Sequence, residues 1–181
     1  FATVSPTPGF SRWSRRQPHM RAIDVHVHPS TRGLDCDACA YFRRALNEVP
    51  TTEEKFAELF VTQEVKALLI GWHPSTVKDG TRNSNGHVID LVTKYPAAFA
   101  GVLASLNVGS EPLAELIQRA ETLLKNPAVK GFKFHPPDQN FYPNHKRHYE
   151  LWETLEAGQK PVMFHTGFTV LGANQEGGKG I

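Results

Sequence analysis

Two histidines one residue apart, His26 and His28, end a short apolar run, Ala22-Ile23-Asp24-Val25-His26-Val27-His28. Along a strand side chains alternate faces, so both imidazoles project to one side with Ala22 and Asp24. Ile23, Val25 and Val27 form the opposite, apolar face. Two later runs close in the same way. In 129–135, Gly131, Lys133 and His135 share a face opposite Phe132 and Phe134; in 161–166, Met163 and His165 lie opposite Val162 and Phe164. Parallel α/β architectures gather their ligand-binding loops at the carboxyl ends of strands. His26, His28, His135 and His165 are therefore expected to face one mouth. Imidazole suits zinc and its neighbours. A catalytic zinc keeps about three protein ligands and one water, whose pKa falls from about 15.7 to near 7. His26, His28 and His165 supply three such donors. The plainer reading is a set of polar residues finishing strands and hydrogen-bonding the next loop.

The other candidate groups leave more open. His135 fits a substrate contact, a group behind the ligands or a loop anchor. Lys133, one strand repeat deeper, fits either a carboxylated ligand bridging to a second metal or a buried cation paired with Asp24. His73 ends another run and takes no role. His145 and His148 sit in helical context and are expected to be solvated, and Asn85 to act as a helix cap. Cys36 and Cys39 form a Cys-x-x-Cys without the second pair a zinc ribbon needs, so they read as ordinary loop or helix-start thiols.

The elements that must position these groups alternate in type. Strands are expected near 22–28, 65–71, 99–106, 129–135 and 161–166. Helical composition marks 37–49 before Pro50, and Thr51-Thr52-Glu53-Glu54 has the form of a capping box opening the next helix. Helices follow over 85–95, from Ser110 and Pro112 through Leu124, and from His145 to Ala157. Loops are expected at 29–35, 75–84 and 136–144, with a glycine-rich tail at 167–181. Five strands separated by helices predict a parallel sheet with helical crossovers.

Composition sets the outer limits. The chain has 181 residues, 40% hydrophobic and 21% charged, as expected of a globular domain. Its net charge of +2 is uneven: residues 1–19 hold Arg12, Arg15 and Arg16 and no acid, leaving 17 basic against 18 acidic residues beyond them. A near-neutral body argues against nucleic acid as a partner. No run is long enough to span a bilayer, and residues 1–19 lack the apolar core of a secretory signal. They read as a disordered leader before a domain over 20–181. Two thiols fit a reducing compartment, so a cytoplasmic location is expected.

Three of these segments in order resemble the amidohydrolase superfamily. Asp24-Val25-His26-Val27-His28 matches its first-strand His-x-His signature, and Pro161-Val162-Met163-Phe164-His165-Thr166-Gly167 resembles its fifth-strand histidine motif. Gly131-Phe132-Lys133-Phe134-His135-Pro136 resembles the fourth strand of the amidohydrolase-related branch, which includes the aminocarboxymuconate-semialdehyde decarboxylase-like enzymes. The resemblance implies a (β/α)8 TIM-barrel fold with one divalent metal, usually zinc, on His26, His28 and His165. It further implies a histidine after strand six and an aspartate after strand eight, for which this sequence has no counterpart. A whole barrel takes about 250 residues, so residues 20–181 suffice for about strands one to five. The chain is thus expected to be the N-terminal portion of a longer enzyme, with little activity alone.

The first functional expectation is a metal-dependent hydrolase acting at a carbonyl carbon of a small-molecule substrate. The second is a metal-dependent, non-oxidative decarboxylase of an aromatic or muconate-type acid. The third, from another class, is an inactive truncated barrel that serves for binding or assembly. A homodimer is compatible with the resemblance.

Overall fold

The computed structural model describes residues 20–29, 52–72 and 84–167. The expected helix at 37–49, both cysteines, His73, the 75–83 loop and most of the glycine-rich tail lie outside them. Within them, strands β1 (Ala22–Val27), β2 (Val65–Ile70), β3 (Phe99–Ala104), β4 (Val129–Phe134) and β5 (Val162–Phe164) form one sheet. Its order is β1-β2-β3-β4-β5 and every pairing is parallel. Helices α1 (Glu53–Thr62), α2 (Asn85–Lys94), α3 (Leu113–Leu124) and α5 (Tyr149–Ala157) alternate with the strands, and a single turn, α4 (Pro136–Gln139), follows β4. A 3-10 turn at Lys146–His148 leads into α5. This is the α/β arrangement of five consecutive units of a TIM barrel. None of the described helices is long and apolar enough to cross a membrane.

The core lies between the sheet and its helices. Ala67 and Leu69 of β2, Val102 and Ala104 of β3, and Phe132 and Phe134 of β4 are all within it and shielded from solvent. They meet Phe56 and Ala57 of α1, Val88 and Leu91 of α2, Leu116 and Ala120 of α3, and Leu151 and Leu155 of α5. The period of two on the strands meets the 3.6 period on the helices, as the apolar pattern requires. Under β4 and β5 the packing is aromatic: the Phe134 ring lies 5.2 Å from Trp152 and 5.7 Å from Phe164. Phe134, fully shielded, contributes roughly 1.5–3 kcal/mol by burial, and the half-buried Trp152 and Phe164 less.

Several local expectations shift. Thr52, one residue later than expected, caps α1, its side chain accepting from the Lys55 N–H. Ser110 does not cap α3; Pro112 occupies that position without a side-chain bond. Pro136–Gln139 is helical because the His135 side chain accepts from the Asp138 N–H, giving this turn a cap. His145 is exposed as expected, but His148 is buried at 3% exposure against Phe141 and Trp152. Its neighbouring aromatics, not its place in the helical register, decide its burial.

A candidate site at the carboxyl ends of the strands

Each expected site residue lies at or just past a strand end. His26 is the last residue but one of β1 and His28 lies just beyond it; His135 follows β4 and His165 follows β5. Their rings, with Trp72 past β2, form a continuous row. His26 to His28 is 5.2 Å between ring centres, His28 to Trp72 is 5.0 Å, Trp72 to His135 is 5.9 Å, and His135 to His165 is 4.0 Å.

At the β1 end the backbone itself is adapted. The register between β1 and β2 shifts between Asp24 and Val27, three steps on β1 against two on β2. Such an irregularity takes a residue out of the ladder. Here the His26 N–H bonds to Asp24 Oδ1 at 3.0 Å instead. Asp24 therefore holds the His-x-His segment in place. Lys133 does not pair with Asp24: among the described residues it is in no ion pair.

At the β4 end the support comes from neighbouring loops. Gln139 Oε1 accepts the His135 N–H at 3.0 Å, while Gln139 Nε2 donates to the Leu106 carbonyl past β3. His135 Nδ1 accepts from the Asp138 N–H at 3.3 Å. A neutral imidazole that uses Nδ1 as acceptor carries its proton on Nε2. His135 is therefore set up as a hydrogen-bond donor. His165 extends the ladder, its N–H bonding the Phe134 carbonyl at 2.9 Å.

Asn85 has a different task from the expected cap, which Ser84 performs. Its amide donates to the Ser105 carbonyl at 2.7 Å and accepts the Ser105 N–H at 2.9 Å. A Cβ at Gly71 would collide with Asn85 Oδ1. Glycine at 71 thus lets α2 close on the ends of β2 and β3. Sequence reasoning gave Asn85 the wrong role and missed Gln139, Asp138 and Trp72. For Trp72 a signal existed: it follows a strand end, as the histidines do.

The electrostatics favour neutral imidazoles. Loss of solvent, with His26 and Lys133 nearby, pushes His28 down to about 4. Burial, with His165 and Lys133 nearby, takes His135 down to about 4 as well. Burial lowers His26 too, and burial lowers Lys133. Between Trp72 and His135 lies a shallow cleft, lined also by Ile70, Ser105, Lys133, Asp138 and Gln139.

Metal-binding histidines must be neutral, since the lone pair is the ligand. An ion about 2.0–2.1 Å from each of two ring nitrogens in tetrahedral geometry sets the ring centres roughly 5 Å apart. The spacing and the charge state of His26 and His28 meet both conditions. His165 is placed differently. It stacks on His135 at an interplanar angle of 21°, and among the described residues no three His, Cys, Asp or Glu side chains are grouped to hold one ion.

The fold has known counterparts. The crystal structure of Metarhizium anisopliae IDCase in apo form superposes with a TM-score of 0.56 at 14% identity, over 79% of this chain and 50% of that one. A structure described as amidohydrolase II gives 0.58 at 15% identity, over 82% and 51%. The chain thus spans about half the length of these two. No curated protein matches its sequence at a significant level. The family model for amidohydrolases matches residues 23–178, which reach into all five strands and include every histidine of the ring row. Members of that family generally use a divalent metal, and this chain belongs to the amidohydrolase family.

Proposed function

We propose that the chain carries part of the active site of a metal-dependent hydrolase acting on a small molecule at a carbonyl carbon. The observation that carries the reading is the pair of neutral imidazoles, 5.2 Å apart, at the carboxyl end of β1. His26 and His28 would hold a divalent ion, zinc by the softness of the donors; His165, the third ligand expected from the sequence, stacks on His135 instead and is not grouped with the pair among the described residues. Such an ion, when bound, supplies a water of lowered pKa and polarises a carbonyl oxygen. Asp24 fixes the backbone of the ligand pair through the His26 N–H. His135 presents Nε2–H toward a substrate oxygen, and Trp72 gives the cleft a flat wall. The Lys133 cleft favours a second reading, non-oxidative decarboxylation of an aromatic or muconate-type acid, because a buried cation beside the ligands suits a carboxylate substrate.

Zinc titration of the chelator-treated chain, followed by calorimetry and metal analysis, tests the reading. One equivalent is expected, and His26→Ala and His28→Ala are each expected to lower affinity at least about tenfold. A folded chain that takes up no stoichiometric zinc, or one indifferent to both substitutions, would instead fit a binding or assembly module.

A further inference from the structure

We propose that Gln139 is a positioning residue for His135, holding it by taking the place of one rung of the sheet. The inference rests on the reading of His135 as the group that faces a substrate oxygen, and adds what fixes that group in place. β3 and β4 pair at Leu103↔Gly131 and Ala104↔Phe132. Carried on past the strand ends, the same register sets Leu106 opposite Phe134 and Asn107 opposite His135. The Phe132 N–H bonds the Pro161 carbonyl on the β5 side. Backbone N–H groups alternate sides along a strand, so that of His135 points toward β3. A continued parallel ladder would join it to the Leu106 carbonyl, just as Phe132 bonds the residue before its partner Val162. Instead the His135 N–H meets Gln139 Oε1 at 3.0 Å, and Gln139 Nε2 donates to the Leu106 carbonyl. One side-chain amide stands between the two backbone groups, accepting from one and donating to the other.

The turn after β4 delivers the amide to that gap. Pro136 and Pro137 have no N–H to offer, so the first donors past His135 are Asp138 and Gln139. Both fold back on it: their N–H groups bond the His135 carbonyl at 3.1 and 2.9 Å, and that of Asp138 also reaches Nδ1 at 3.3 Å. Asn140, with φ of 52°, ends the turn. From the β3 side Gly109 admits it, because a Cβ there would collide with the Gln139 carbonyl. Gln139 is 4% exposed, so losing either arm of its amide leaves a backbone group to be satisfied away from solvent. A rung with an amide inside it is longer than the direct bond it replaces. It keeps the ends of β3 and β4 apart where Ser105, Lys133 and His135 line the cleft. Asn85 offers a contrast in the same corner. Its amide also bonds the end of β3, but both arms close on Ser105.

The test is nuclear magnetic resonance on the full, isotope-labelled chain. In the unmodified chain a scalar coupling across the hydrogen bond is expected between the His135 amide nitrogen and the Gln139 side-chain carbonyl carbon. No such coupling, or one to the Leu106 carbonyl carbon in its place, would overturn the proposal. Gln139→Met keeps length and bulk and removes both arms. In it the His135 amide should exchange with solvent at least about tenfold faster relative to the amides of Phe132 and His165, which bond other carbonyls. A new coupling from His135 to the Leu106 carbonyl carbon would show the two ends closing into the direct rung and equally supports it. Exchange at His135 that stays in step with Phe132 and His165, with no new coupling, would overturn it. Gln139→Glu keeps the arm to His135 and should restore its protection; a loss as large as in Gln139→Met would count against the proposal. Asn85→Ala strikes the same β3 end and should leave His135 in step with Phe132. An equal selective effect on His135 would reduce Gln139 to general support. If the variants do not fold, the coupling in the unmodified chain decides. No metal enters these measurements, so failure of the metal reading shows separately, in the zinc titration.

Discussion

The two ends of the ring row hold the same side chain in opposite ways. His135 and His165 stand on a floor of aromatic rings: Phe134 is fully buried between Trp152 and Phe164, and Gln139 ties the β4 end to the β3 end. His26 and His28 end β1, which like β5 is an outer strand of the described sheet. Ile23 and Val25, on the far side of β1, are 45% and 48% exposed, and the local brace is one bond from Asp24. The β4–β5 end is therefore fixed by packing, a large and many-bodied energy. Among the described residues, the β1 end is fixed by backbone pairing, by Val27 in the core and by one carboxylate. Chemistry can be written into either, but among the described residues the first is the more deeply packed.

The largest expected contrast is in stability. Phe134→Ala should cost about 3–5 kcal/mol, whereas Val25→Ala should cost less than about 1 kcal/mol, since that side chain is half exposed. Urea denaturation of both variants measures the difference; comparable losses would erase the distinction between the two ends.

Asn85→Ala comes next. It strands the N–H and carbonyl of Ser105, both otherwise bonded to the amide, and should cost about 1–3 kcal/mol. The same denaturation curve reads it. An effect near zero would mean that the β2–β3 corner does not depend on this amide.

Asp24→Ala should separate stability from chemistry. Its carboxylate supports the first histidine pair from behind, and loss of such a group typically lowers metal affinity 10–100-fold. Stability should change by no more than about 1 kcal/mol, because the bond is exposed. Zinc titration and thermal melting together check it; a fall in both alike would make Asp24 a structural residue only.

Acid should weaken both ends. His28, His135 and His148 have native pKa values near 4 against an ordinary 6.5, burial being the first cause in each. Between those values the unfolded chain binds more protons than the native one, so stability falls as pH drops from 6.5 toward 4 and levels off below. Above 6.5 their contribution is fully present. Asp138, whose pKa is raised, opposes the trend but is one group against three. Urea midpoints measured from pH 7.5 to 4 follow the sum, and His148→Phe, at the most enclosed of the three, should flatten it.

A smaller effect probes the turn that carries the chain into β2. Glu64 has φ of 56°, a left-handed conformation at the end of α1. Glu64→Gly should raise stability by up to about 1 kcal/mol, visible as a small rise in Tm.

Much of this architecture is legible residue by residue. The alternation in 129–135 predicts Phe132 and Phe134 inside and Lys133 and His135 toward the mouth, and the structure divides them so: the two rings join the core cluster, while Lys133 and His135 line the cleft. Period-two and 3.6-fold patterns also locate the five strands and the helices between them, because each element must bury one face. Local patterns fail where a side chain's partner is distant in sequence. Asn85 looks like a cap because its immediate neighbours suit one; its partner Ser105 is 20 residues away. Gln139 reaches Leu106 across 33 residues, and no spacing rule encodes that reach.

The sequence by itself determined that four histidines would end strands of a parallel sheet, since alternation and strand order are local properties of the chain. Only the tertiary structure decided their grouping: His26 beside His28, His135 against His165, and Trp72 between the pairs. The reason is physical. Which face a residue takes depends on its own strand, but the gaps between strand ends depend on register shifts, on how closely glycines let strands approach, and on side chains reaching across loops. Those are set by packing over the whole sheet.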